Sequence, residues 1–274
     1  MTTTKNKLVT GMAVFAILLT MIIGGCKKET VSPNTTKYNL KVKDQLGISG
    51  TVTFTETSST VTTIDIALVG GSAENHPAHI HLNSSIEGGA ISLSLNQVVN
   101  GRSSTQVSKL DNNNSINYSQ LIAFDGYLNI HESSINLTTI LAQTDIGGNA
   151  LTSTSKSYVL NAVGTSTVSG TVLFEKRKNG NSLVTIDLNG TLANGVHPAG
   201  IHIGSVATVG GGPITKTLNP VDGTTGKSYT TLRTLDNGTP ISYDDVLVYD
   251  GYLAIHESAL LMLNVLCQGN VGTH

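Results

Sequence analysis

A chain of 274 residues has room for one large domain or two small ones, and its 16 basic and 18 acidic side chains make it unusually poor in charge. A net charge of −2 without a basic block argues against a nucleic-acid partner, and no Gly-rich phosphate loop leads into a helical segment to support nucleotide chemistry. Two cysteines cannot build a disulfide framework, so a hydrophobic core must hold the fold.

Lys5 and Lys7 precede an apolar run from Met12 to Ile23. That run is too short to span a bilayer, which takes about 20 residues, and residues 1–25 read as a signal peptide. Ile23-Gly24-Gly25-Cys26 resembles a bacterial lipobox. The resemblance implies cleavage before Cys26, lipidation of that cysteine with palmitate among its acyl chains, and anchoring to a membrane of the cell envelope. The outer membrane, its periplasmic face and the cell surface all remain open. Residues 26–37, polar and containing Pro33, then form the anchor and tether. Cys267 is left without an intrachain partner and, in the apolar run Leu260–Cys267, reads as a small core hydrophobe.

The remainder is one unit written twice, residues 38–148 and 157–272, with residues 149–156 as linker. Ser49-Gly50-Thr51-Val52-Thr53-Phe54 recurs as Ser169-Gly170-Thr171-Val172-Leu173-Phe174, and Thr63-Ile64-Asp65-Ile66 as Thr185-Ile186-Asp187-Leu188. His76-Pro77-Ala78-His79-Ile80-His81 recurs as His197-Pro198-Ala199-Gly200-Ile201-His202. The segment from Asp125 to Ser133 recurs from Asp250 to Ser258. The aromatics pair in the same way (Tyr38/Tyr158, Phe54/Phe174, Tyr118/Tyr243, Phe124/Tyr249, Tyr127/Tyr252), which leaves Tyr229 without a counterpart.

Within each unit the patterning is that of strands. Ile64, Ile66 and Leu68 alternate with Thr63, Asp65 and Ala67, and Ile91, Leu93 and Leu95 alternate with Ser92 and Ser94. Turn signals such as Gly70-Gly71, Gly88-Gly89, Asn179-Gly180 and Asp236-Asn237-Gly238 separate these runs. Only Leu260–Leu266 resembles a helix, and its Thr-containing counterpart Asn136–Leu141 argues for strand there too. The expected fold is all-β: two tandem antiparallel Greek-key β-sandwich domains of immunoglobulin-like or superoxide-dismutase-like type.

The histidines carry the functional question. Strand alternation sends His79 and His81 to one face, and His131 shares a face with Tyr127 and Asn129 further along. If those strands are neighbours, three imidazoles converge, and imidazole suits copper and zinc. In the second unit Gly200 stands where His79 stands in the first, leaving His202 and His256 as a weaker pair. The alternative is structural: rings that satisfy one another and nearby backbone in a packed sandwich, a role both copies would share. Glu132 and Glu257 point to the opposite face from the neighbouring histidine and suit loop bonding, while Asp125 and Asp250 suit tight turns.

The whole unit, with His79-Ile80-His81 mid-domain and Gly126-Tyr127-Leu128-Asn129-Ile130-His131-Glu132 later, resembles the CHRD domain, though the usual Gly-Glu-Ile-Arg-Gly ending is replaced in both copies. That resemblance implies architecture and an exported location, and no settled activity. His76-x-x-His79-x-His81 is similar in spacing to the first copper motif of Cu,Zn superoxide dismutase, and Leu128–Glu132 to its later copper strand. The similarity puts His79, His81 and His131 on copper-ligand positions, and His76, with its copy His197, on a structural one. The metal-bridging and zinc-site histidines, the disulfide and the substrate-steering arginine of that family have no counterpart here. The expected function is a lipid-anchored, non-catalytic binding or surface-structural module for a protein or glycan ligand. The alternative is a Cu(II)-binding protein acting through the first unit, for sequestration or superoxide-linked redox chemistry.

Overall fold

The computed structural model of the chain describes residues 1–3, 32–70, 74–209 and 211–274. Residues 4–25 of the expected signal peptide, and Cys26, therefore lie outside the described residues. The chain divides into two units, Met1–Ser32 and Pro33–His274, and the second carries sixteen strands among its described residues. The first eight are β1 (Thr35–Val42), β2 (Ser49–Ser58), β3 (Val61–Val69), β4 (His76–Leu82), β5 (Ile91–Val98), β6 (Arg102–Val107), β7 (Gly126–Ser133) and β8 (Asn136–Ile146). The second eight are β9 (Leu151–Ala162), β10 (Ser169–Arg177), β11 (Ser182–Asn189), β12 (Val196–Ile203), β13 (Ile214–Asp222), β14 (Lys227–Leu232), β15 (Asp250–His256) and β16 (Val265–Gly272). Two short helices, α1 (Tyr118–Leu121) and α2 (Tyr243–Leu247), occupy equivalent places and both open with a capping box, from Asn117 and Ser242.

All pairings are antiparallel. The first set forms an eight-stranded sheet in the order β5-β4-β7-β8-β1-β2-β3-β6, and the second a closed barrel, β10-β11-β14-β13-β12-β15-β16-β9. Adding eight to each strand number of the first order reproduces the second as a ring. The copies differ in that β13 and β14 meet through the pair Asp222/Lys227 whereas β5 and β6 lie at opposite edges.

Period-two patterning explains the cores. In β3, Ile64, Ile66 and Leu68 are buried while Asp65 is exposed, and β2 sends Val52 and Phe54 inward to meet them. Phe54 and Phe174 are fully buried, each edge-to-face against the tyrosine of the neighbouring strand, Tyr38 or Tyr158. Phe54→Ala is expected to cost about 3–5 kcal/mol in chemical denaturation, the usual range for emptying an aromatic core site. A cost below about 1 kcal/mol would show that the core closes over the gap. Cys267 is buried in the second core, where burial pushes its thiol up to about 12 and makes it inert.

Four sequence readings need correction. Residues 149–156 are not a free linker: β9 starts at Leu151, and Gly147–Asn149 form a buried 3-10 turn. The first strand begins at Thr35, inside the expected tether. Of Leu260–Leu266 only the end is strand, because Leu260 and Leu263 stand exposed in the turn before β16. Finally, Asp65 and Asp187 are not equivalent. Phe54 pairs Ile64 and Phe174 pairs Val184, so Asp187 occupies the place of Ala67. A two-residue slip preserves the inward-outward alternation, so hydrophobic pattern alone does not expose it.

The two halves touch through polar groups. Arg177, fully buried at the end of β10, donates from Nη1 to Asp145 Oδ2 of β8 at 2.6 Å and to the carbonyl of Asn149. The Lys178 amide donates to the Ala150 carbonyl (2.9 Å), Arg233 pairs with Glu87 (3.1 Å), and the Ser84 and Thr231 hydroxyls share a hydrogen bond (2.9 Å).

Candidate metal centre

Adjacent strands β4 and β7 build the site. The register sets His79 opposite Asn129 and His81 opposite Tyr127, which leaves His131 diagonal to His79, within reach of its ring. Register shifts fall beside both His81 and His131, where an extra residue re-aims a side chain. One ring nitrogen from each of His79, His81 and His131 lies within 4.8 Å of the others. Ring centroids are 5.1 Å apart for His79/His131, 5.9 Å for His79/His81 and 6.2 Å for His81/His131.

Hydrogen bonding fixes which nitrogens are available. His81 Nδ1 faces the Gly89 carbonyl at 3.0 Å and His131 Nδ1 faces the Leu137 carbonyl at 2.7 Å. A carbonyl only accepts, so both Nδ1 atoms carry the proton and both Nε2 atoms keep a lone pair. Those Nε2 atoms, together with His79 Nδ1, are buried and have no hydrogen-bond partner. Buried polar atoms are rarely left so, and three on converging rings form a ready donor set for a cation. Tyr127 stacks on His81 at 4.8 Å and 16°, holding its ring in place. Bonding of the remote nitrogen to backbone is the usual way a protein orients metal-binding imidazoles.

The electrostatics agree. Burial holds His79 below the ordinary histidine range, reinforced by His131 and His81 and opposed by the Asp111 carboxylate. Burial also lowers His131, against the Leu137 carbonyl and with His81. Neutral imidazole is the form that ligates. Asp111, anchored by the Ser94 amide and hydroxyl, contributes negative charge close to His79.

The second copy retains the frame and lacks one ligand. His202 Nδ1 donates to the Gly212 carbonyl at 2.6 Å, Tyr252 stacks on the His202 ring at 4.8 Å, and the Nε2 atoms of His202 and His256 are buried without partners. The two rings lie 5.7 Å apart, and burial lowers His256. Gly200 takes the place of His79, and a Cβ there meets Ile214 Cγ2 at 3.3 Å and no backbone atom closer than 3.5 Å. Gly200→His is therefore expected to add a third imidazole to the second frame and raise Cu(II) uptake by the whole chain by about one equivalent, read by metal analysis after gel filtration. Unchanged uptake in a folded variant would mean that the second frame does not converge.

His76 and His197 stay out of both clusters. Their Nδ1 atoms bond the carbonyls of Glu132 (2.6 Å) and Glu257 (2.8 Å), tying the start of β4 and β12 to the end of β7 and β15. The carboxylates bond loop amides: Glu132 accepts from Gln45 and Asn136, and Glu257 from Asn264. Sequence reasoning overlooked Asn129, whose buried Oδ1 has no partner and which lies opposite His79. Its signal was available, because Asn129 becomes Ala254 in the same copy where His79 becomes Gly200.

No family model, curated protein or solved structure matches the chain.

Proposed function

We propose that the protein is a lipid-anchored cell-envelope protein with two CHRD-like Greek-key β-sandwich domains, the first of which binds Cu(II) through His79, His81 and His131. The observation that carries the metal reading is the convergence of three imidazoles whose facing nitrogens are buried and unpartnered. Three nitrogen donors favour Cu(II), which tops the divalent affinity order, over Zn(II) or Ni(II). The ring order of the second set supports the Greek-key reading, since β11 lies beside β14 and the hairpin-linked β14, β13 and β12 follow in turn. Among the described residues the metal-ligand cluster consists of the three imidazoles alone, which fits binding and sequestration better than catalysis, and the protein is read as a non-enzymatic module.

Titration of the full chain with Cu(II), followed by paramagnetic resonance, tests this. One equivalent with nitrogen-rich tetragonal features is expected, and His79→Ala should weaken binding by at least about 100-fold, more than loss of an outer partner costs. Equal affinity in wild type and His79→Ala would overturn the metal reading and leave the binding-module reading alone.

The anchor rests on Ile23-Gly24-Gly25-Cys26. Multiple acyl chains hold a protein at a membrane where one does so only marginally. Cys26→Ala is expected to move the protein from the membrane fraction to the soluble one. An unlipidated wild-type chain in the soluble fraction would refute the anchor.

A further inference from the structure

Several departures from the internal repeat gather in a cleft away from the histidine cluster. The cleft, of about 610 Å³, opens where the two halves meet, with Lys37, Lys41, Lys43 and Asn39 on one wall and Tyr229 on the other. Lys37, Asn39 and Lys41 share the outward face of β1, Tyr38 and Leu40 turning inward, and Lys43 follows just past its end. All three lysines are exposed. None of them enters an ion pair among the described residues, whereas Lys176, Arg177, Lys216, Lys227 and Arg233 each have a carboxylate. The one carboxylate on the cleft wall, Asp145, is already held by Arg177 and the Ser85 amide. Lys178 of the second half lies over the ring of Tyr38 at 5.4 Å and adds a fourth cation at the margin.

The other copy of each wall lacks these groups. Tyr38 pairs Val52 as Tyr158 pairs Val172, so Lys37, Asn39, Lys41 and Lys43 correspond to Ser157, Val159, Asn161 and Val163. Asn96 bonds the Ser104 carbonyl as Asn219 bonds the Tyr229 carbonyl, so Tyr229 corresponds to Ser104. A packing role for these residues would recur in both copies. The cations of Lys37, Lys41 and Lys43 and the aromatic face of Tyr229 line the cleft and are absent at the equivalent positions of the other copy.

From this we infer that the cleft binds an acidic oligosaccharide, a short glycan bearing carboxylate groups. Unpaired lysines spread along β1 match charges repeated along an extended chain, Tyr229 offers an apolar face to a sugar ring, and Asn39 and Gln143 supply hydrogen bonds to hydroxyls. The volume suits a few sugar units, and seams between halves of a protein are common places for such sites. A single-stranded nucleic acid asks for several stacking aromatics, and Tyr229 is the only one of the cleft's two tyrosines that is exposed.

The site is independent of the histidine cluster and needs no metal. Calorimetry of the full chain with oligogalacturonate, against a neutral glucose oligomer of equal length, tests it. Binding of the acidic oligomer alone is expected, weakening with added salt and unchanged in His131→Ala. Exchanging Lys37→Ser, Lys41→Asn and Lys43→Val together, which installs the residues of the other copy, should weaken binding by about tenfold or more with an unaltered melting curve. Tyr229→Ser should weaken it without changing the salt dependence. Equal binding of both oligomers, or full affinity in the triple variant, would overturn the assignment. So would binding of the Cys26→Ala chain to phosphatidylglycerol vesicles through these lysines with no uptake of oligogalacturonate, which would make the surface a membrane contact.

Discussion

Asp145→Ala is expected to destabilise the protein by about 3–5 kcal/mol, more than any exposed substitution, because it strands a charge. The Arg177 guanidinium is fully buried, and its Nη1 is divided between Asp145 and the Asn149 carbonyl. Its Nε and Nη2 have no partner, so the Asp145 carboxylate is its main compensation. Removing the acid leaves an uncompensated cation that is fully buried. Removing the cation leaves a carboxylate that is partly exposed and still accepts from the Ser85 amide at 2.8 Å. Arg177→Met should therefore cost well under half as much, and the double variant should resemble Arg177→Met rather than the sum. Denaturant unfolding of the three variants measures this. If Asp145→Ala and Arg177→Met cost the same, the argument from an uncompensated buried charge is wrong.

Arg177 also shows why part of the structure was not legible in the sequence. It sits in a turn sequence, Arg177-Lys178-Asn179-Gly180, that reads as a solvated hairpin, and only the docking of the first half buries it. The segment after Gly147, expected to be a linker, is instead β9, because it pairs with β10 and β16 of its own half, strands distant from it in sequence. Local composition reports on local exposure and carries nothing about which surfaces meet. By contrast, the strands with strict alternation, β3 above all, were readable because period two is a local property. The pairing of His79 with His81 was readable for the same reason. Bringing His131 to them required the adjacency of β4 and β7, strands separated by β5 and β6 in sequence, and that adjacency rested on resemblance. Asn129 was passed over because its link to His79 shows only when the two copies are compared position by position, where both change together to Ala254 and Gly200.

Acidification should loosen the metal-free protein and weaken the proposed Cu(II) binding through one event, protonation of His79 and His131. Both are held below the ordinary histidine value by burial and by the facing imidazoles. In the unfolded chain they titrate near ~6.5. Between that value and their lower folded values the unfolded chain binds more protons, so stability of the metal-free fold is complete above about pH 6.5 and declines as pH falls through the window. Metal binding obeys the same requirement more steeply, since each protonated imidazole is a lost ligand and affinity falls by about tenfold per pH unit for every ligand below its pKa. Because the folded pKa values of His79 and His131 are lowered, these two ligands stay neutral to a more acidic pH than free histidine does. The expected result is a Cu(II)-dependent rise in melting temperature that is constant from about pH 8 to 7 and shrinks steeply below about 6. His131→Ala removes that rise at every pH, and it also removes a buried group that resists protonation. The variant's metal-free stability should therefore depend less on pH than that of the wild type. A wild-type melting temperature that ignores Cu(II), or a rise that grows on acidification, contradicts ligation by these two rings.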